Sequence, residues 1–184
     1  MEPDYLKHLA DGHDRDAVLH DLMTEYGNDV WNFAFFLTRR ADAADDLAQE
    51  VFLAAYDGMY GFRGECSVKS WLLAITRNKA LNYMKRAFIR KVTLVEYVAS
   101  KASAPSAEAE TFDRMETRRI WDAVMRLPLK FREVLLLDSH YEASIQEMAH
   151  MLGISEGTVK SRLHRARKKL TALLASDDDG GERR

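Results

Sequence analysis

The chain has 184 residues, 47% of them hydrophobic, a net charge of −2 and a single cysteine. Length and apolar content allow one ordinary domain or two small ones with cores of their own, and they exclude disorder throughout. The lone Cys66 excludes an internal disulfide framework and any multi-cysteine zinc site, leaving a structural or incidental thiol as its simplest role. The opening stretch MEPDYLKHLADGHDRD is polar and acidic rather than signal-like. No apolar run approaches the roughly 20 residues needed to cross a bilayer, so a cytoplasmic location without membrane insertion is expected.

Apolar residues recur at three- and four-residue spacing almost everywhere, alternating strand patterns are absent, and there are only three prolines. The expectation is an all-α protein of two small helical domains joined by a flexible linker. Helices are expected near 14–26, 29–39, 43–60 and 68–88. In LVEYVASKASAPSAEAETF small and polar residues then replace the large apolar ones, and Pro105 interrupts, which reads as a linker. Periodicity resumes in MRLPLKFREVLLLDSHYEASIQEMAHML. The expected division is therefore a first domain over 1–92, a linker over 93–111, a second domain over 112–175, and a solvated, mobile tail over 176–184.

The small net charge hides three segregated blocks. Between Ala41 and Asp57 the charges are Asp42, Asp45, Asp46, Glu50 and Asp57, with no base among them. Between Arg77 and Lys91 they are Arg77, Lys79, Lys85, Arg86, Arg90 and Lys91, with no acid, and Asn78, Asn82, Tyr83 and Phe88 lie between. Between Ile154 and Leu174 the bases Lys160, Arg162, Arg165, Arg167, Lys168 and Lys169 face one acid, Glu156. Two separated basic blocks point to two contacts with nucleic acid, and the acidic block to a third surface whose partner is not DNA. A metal site on Asp45 and Asp46 is disfavoured, because adjacent helical positions point about 100° apart. Trp71 falls with Leu72 and Ile75 on the apolar side of its helix and is expected in the core.

The third block sits in a recognisable frame. Ser144 to Glu147 is S-x-x-E, a capping box opening a short helix with Ile145, Met148, Ala149 and Leu152 on its buried side. Gly153 supplies a turn and Ser155 can cap the next helix, in which Val159, Leu163, Ala166 and Leu170 face inward. Thr158, Lys160, Ser161, His164, Arg165 and Lys168 then face outward. A helix-turn-helix places such a second helix in the major groove with its N-terminal part against base edges.

DDLAQEVFLAAYDGMYGFRGECSVKSWLLAITRNKALNYMKR closely resembles the core domain of bacterial sigma factors of the extracytoplasmic-function group, and LPLKFREVLLLDSHYEASIQEMAHMLGISEGTVKSRLHRARKKL resembles the second domain of that family. The likeness runs from about residue 14 to 174, with both segments in the family's order. It implies that Asp45, Asp46, Gln49 and Glu50 dock on the clamp helices of the polymerase β′ subunit. It implies also that Asn78 and Asn82 read the −10 promoter element, with Arg77, Lys79, Lys85 and Arg86 on phosphates. The loop Phe62, Arg63, Gly64, Glu65, Cys66 and Ser67 would capture an unstacked base, a step suited to a basic groove with aromatic neighbours; Cys66 departs from the small polar residues usual there. The helix-turn-helix would read the −35 element. Core RNA polymerase, through β′ and the β flap, promoter DNA and an inhibitory anti-sigma factor are the implied partners.

Two rival functions fit less well. A helix-turn-helix regulator of the response-receiver type would carry an α/β or ligand domain upstream, where no strand pattern exists. An enzyme acting on nucleic acid would need a metal or acid–base cluster. The histidines His8, His13, His20, His140, His150 and His164 lack ligand spacing, and no HExxH, CxxC or phosphate loop occurs, so no catalytic residue, metal or cofactor is expected. The linker adds a geometric condition. Promoter elements about one and a half helical turns apart are separated by roughly 50 Å. About 20 residues reach roughly 70 Å extended but average only about 25 Å as a free coil. Energy transfer between dyes on the two domains should therefore report a shorter, broader distance in the free protein than with polymerase bound. A narrow distribution already at promoter spacing would contradict this.

Overall fold

The computed structural model describes residues 15–93 and 112–181; the expected linker lies almost wholly outside them. The chain divides into two compact units, Met1–Ser103 and Ala104–Arg184. Every regular element among the described residues is a helix, in agreement with the all-α expectation. In the first unit these are α1 (Arg15–Thr38), α2 (Ala41–Gly58), a 3₁₀ turn (Met59–Gly61) and α3 (Val68–Thr93). The second unit holds α4 (Phe112–Arg126), α5 (Leu129–Ser139), α6 (Ile145–Leu152) and α7 (Glu156–Gly181).

α1 is one helix where the sequence suggests two. Gly27 and Asn28 look like a break, yet Val18, Leu22, Tyr26, Val30, Phe33, Ala34 and Leu37 form one continuous buried stripe across it. A glycine inside a helix costs roughly 1 kcal/mol relative to alanine. Burial of several large side chains on the stripe outweighs that, at about 1.5–3 kcal/mol each. The stripe packs on α2 and α3, which also pack on each other. The shared core includes Val51, Phe52 and Ala55 from α2, Met59 from the 3₁₀ turn and Val68 and Leu72 from α3. Lys69 on α3 pairs with Asp29 on α1 at 3.0 Å.

The second unit is built around α5. Every residue from Phe131 to Leu137 is buried, so this helix has no solvent face along that stretch, and its two polar members must find partners inside. Arg132 donates to the carbonyls of Met125 and Leu127, at 2.9 and 3.4 Å, closing the C-terminal end of α4. Glu133 accepts from Arg162 of α7 at 3.5 Å. α7 packs on α4, α5 and α6. It continues to Gly181, into the stretch where a solvated tail is expected. Near this end of the helix Arg119 of α4 donates to the Leu174 carbonyl at 2.8 Å, and Arg126 pairs with Asp177.

Because a β-carbon at Gly27 would meet nothing within 4 Å, Gly27→Ala should stabilise the first unit by about 0.5–1 kcal/mol. Thermal unfolding of the two proteins side by side checks this, and an unchanged or lowered midpoint would mean that α1 is interrupted there.

Candidate functional site

The helix-turn-helix forms as its punctuation requires. The Ser144 hydroxyl accepts from the Glu147 amide at 3.2 Å, and the Glu147 carboxylate accepts from the Ser144 amide at 2.9 Å, giving the reciprocal capping box. Gly153 ends α6 at φ 65° and ψ 37°, a left-handed geometry that favours glycine. The Ser155 hydroxyl accepts from the Thr158 amide at 3.2 Å and starts α7. Val159, Leu163 and Ala166 are buried, whereas Lys160, Ser161, His164, Arg165 and Lys168 are exposed on the opposite side. Thr158 departs from its assignment: it is half-buried and its hydroxyl shares a 2.9 Å hydrogen bond with Ser155, so it shapes the start of the helix. Arg162 is turned toward α5 and pairs with Glu133 at 3.5 Å. An exposed ion pair at this distance is worth little, but Glu133 is 4% exposed at its side chain, where leaving a carboxylate unpaired is costly.

The acidic block lies on the outer face of α2. Ala43, Ala44, Leu47, Val51 and Ala55 are buried, and Asp45, Asp46, Gln49 and Glu50 project away from them. Asp45 is oriented by the Trp31 indole, which donates to it at 2.6 Å and stacks on Phe35 with ring centroids 5.4 Å apart. At the start of α2, Arg40 hydrogen-bonds Asp42 and holds its carboxyl below the ordinary carboxylate range. Leu53 stands 64% exposed on the same face, three residues past Glu50 and four past Gln49. The sequence carried a signal for it in that spacing; the Trp31–Asp45 contact joins two helices and left none.

The basic block forms the outward side of α3. Asn78, Asn82, Lys85 and Arg86 are exposed, and Arg77 is half-buried. Lys79 does not point to solvent alone: it pairs with Glu50 of α2 at 3.3 Å, so the acidic and basic faces meet along one seam. The loop before α3 is only partly available for capturing a base. Phe62 is buried against Trp71, ring centroids 5.1 Å apart, and anchors the loop instead of presenting its ring. Ser67 accepts from the Ser70 amide at 3.1 Å and caps α3. Cys66 packs partly buried on the core, while Gly64 turns the loop at φ 67°. Arg63 and Glu65 remain exposed, paired at 4.0 Å. Trp71 is half-buried against the same core.

Taken unit by unit, the first presents an acidic face and a basic face on adjacent helices, and the second a basic recognition helix. The comparisons with known proteins match one family region within each unit. Residues 22–87 match the family Sigma-70 region 2, and residues 117–170 match Sigma-70, region 4. Over 153 residues the chain is 34% identical to the ECF RNA polymerase sigma factor SigM of Mycobacterium tuberculosis, covering 83% of this chain and 75% of that one. It is 30% identical over 157 residues to the ECF RNA polymerase sigma factor SigM of Bacillus subtilis, covering 85% and 94%. Among solved structures it is similar to the sigma factor RpoE of Bartonella quintana, crystallised in complex with the anti-sigma factor NepR. There the TM-score is 0.69 at 27% identity, over 85% of this chain and 98% of that one. With both family regions present in order, and relatives at this identity spanning most of its length, the chain belongs to the sigma-70 family as an extracytoplasmic-function sigma factor, which directs promoter-specific initiation by RNA polymerase.

Proposed function

We propose that the three faces divide the work of initiation. Asp45, Asp46, Gln49 and Glu50, with Leu53 as an apolar contact among them, dock on the β′ clamp helices. Asn78 and Asn82 read the −10 element while Lys85 and Arg86 hold phosphates, and the exposed part of the 62–67 loop receives an unstacked base. Lys160, Ser161, His164, Arg165 and Lys168 read the −35 element, with the second unit also engaging the β flap. The observation that carries this reading is the pair of oppositely charged faces on α2 and α3. A regulator acting on DNA alone needs a basic face but has no use for an acidic one beside it.

Energetics support work inside a holoenzyme. Opening DNA costs about 1.4 kcal/mol per base-pair step, so a bubble of roughly ten pairs costs on the order of 14 kcal/mol. A face with two amides, a few bases and one loop supplies only part of that, leaving the rest to the polymerase. The Glu50–Lys79 pair is solvent-exposed and worth at most about 1 kcal/mol, so it yields readily when each residue meets its own partner. The chain performs no catalysis itself in this reading and works in the cytoplasm; no helix among the described residues is long and apolar enough to cross a membrane. An anti-sigma factor that covers the polymerase- or promoter-binding faces, as partner to a chain of this kind, completes the scheme.

The assignments separate in one set of measurements. Alanine at Lys160 or Arg165 should weaken binding to a −35 element by about 1–3 kcal/mol if the residue contacts a base. If it holds a phosphate, binding should fall uniformly across sequences with a salt slope lower by about one. Binding to core polymerase should be unchanged in either case. Alanine at Asp46 or Glu50 should do the reverse, lowering affinity for core polymerase and sparing the isolated −35 contact. Transcription from a matched promoter that does not depend on the added chain would overturn the reading as a whole.

A further inference from the structure

Two carboxylates on the outer face of α2 are held by neighbouring helices, and the two contacts have opposite consequences. Glu50 is paired with the Lys79 ammonium at 3.3 Å, a cation that any basic group of a partner has to displace. Asp45 instead accepts from the Trp31 indole N–H at 2.6 Å, and this neutral donor leaves its negative charge uncompensated. The bond engages Oδ1. A carboxylate has about four acceptor sites on its two oxygens, so a basic group can pair on Oδ2 while the indole stays in place.

The indole is itself held. Its ring stacks on Phe35, one turn further along α1, with centroids 5.4 Å apart and planes 8° from parallel, and Phe35 meets Phe36 at 5.9 Å. Trp31 and Phe35 are half-buried and alternate with Val30 and Ala34 of the core stripe, so the helix that carries the donor cannot turn without exposing that stripe. Asp45, by contrast, is exposed. Without the indole it samples several staggered rotamers, only some of which carry its charge toward a partner on the outer face of α2. Fixing one rotamer in advance removes an ordering cost from binding, about two- to tenfold in affinity for one side chain.

We infer that Trp31 is a positioning residue for polymerase docking: it holds the Asp45 carboxylate in place for a basic group of the polymerase without neutralising it. The inference rests on the assignment of the acidic face of α2 to core polymerase, and it extends the determinants of docking from α2 to α1.

The test is a double-mutant cycle on the full chain, read as affinity for core polymerase. Trp31→Phe keeps a ring against Phe35 and removes the donor. It should weaken binding about two- to tenfold in the parent and change nothing in an Asp45→Ala background. A merely structural role for Trp31 would weaken both alike. In the free chain, Asp45→Ala should move the indole N–H resonance of Trp31 and speed its exchange with solvent, which checks the contact without polymerase. Should Trp31→Phe fail to fold, β-(3-benzothienyl)alanine at position 31, with sulfur in place of the N–H, tests the same bond in a ring of the same shape. Equal losses in both backgrounds, no loss in the parent, or an indole resonance indifferent to Asp45→Ala would each overturn the inference. Failure of the docking assignment would look different: Asp46→Ala and Glu50→Ala would then bind core polymerase as the parent does.

Discussion

Burial of an apolar stripe along each helix is the constraint on which the rest of this protein depends. With about 3.6 residues per turn, a helix that commits one face to a core must turn the opposite face outward. On α2 the inner face is Leu47, Val51 and Ala55 and the outer face is acidic. On α7 the inner face is Val159, Leu163 and Ala166 and the outer face is basic. Removing the apolar stripe would not merely loosen these helices; it would leave nothing to say which side of them meets a partner.

The two units meet this constraint by different means. The first is an apolar core with polar ties at its edges, among them Lys69 to Asp29 and Lys79 to Glu50, all exposed enough to be weak. Its faces are set by packing. The second adds charged groups in the interior: Arg132 closes the end of α4 and Glu133 holds Arg162 of the recognition helix. Those contacts are demanding, because a buried charge without its partner is strongly unfavourable. The Arg162–Glu133 contact ties α7 to α5.

Adjacency of unlike charge is the feature that separates this chain from a simple DNA binder. The acidic and basic faces of the first unit share a seam at Glu50 and Lys79. One small unit thereby carries an acidic and a basic surface side by side, which in the proposed division of work would let docking of the first position the second. Trp31 contributes from a third helix by orienting Asp45, which makes the docking face a product of tertiary packing as well as of α2 itself.

How much was legible beforehand follows from the range of each interaction. Helix type, the capping box, the glycine turn and the charged faces all depend on residues within a turn or two of one another, and the sequence by itself determined them. The linear order of motifs likewise sufficed to name the family. What only tertiary structure decided involves residues brought together from afar. The apolar stripe of α1 overrides the apparent break at Gly27 because α2 and α3 cover it. Arg126 of α4 reaches Asp177, inside the stretch where a tail is expected, within a helix that runs on to Gly181. Phe62, expected at the site, is withdrawn into the core by Trp71, and Thr158 is drawn into the cap of its own helix. Local pattern specifies which face of a helix is polar; whether a given side chain on it is free to meet a ligand depends on neighbours that only the folded chain supplies.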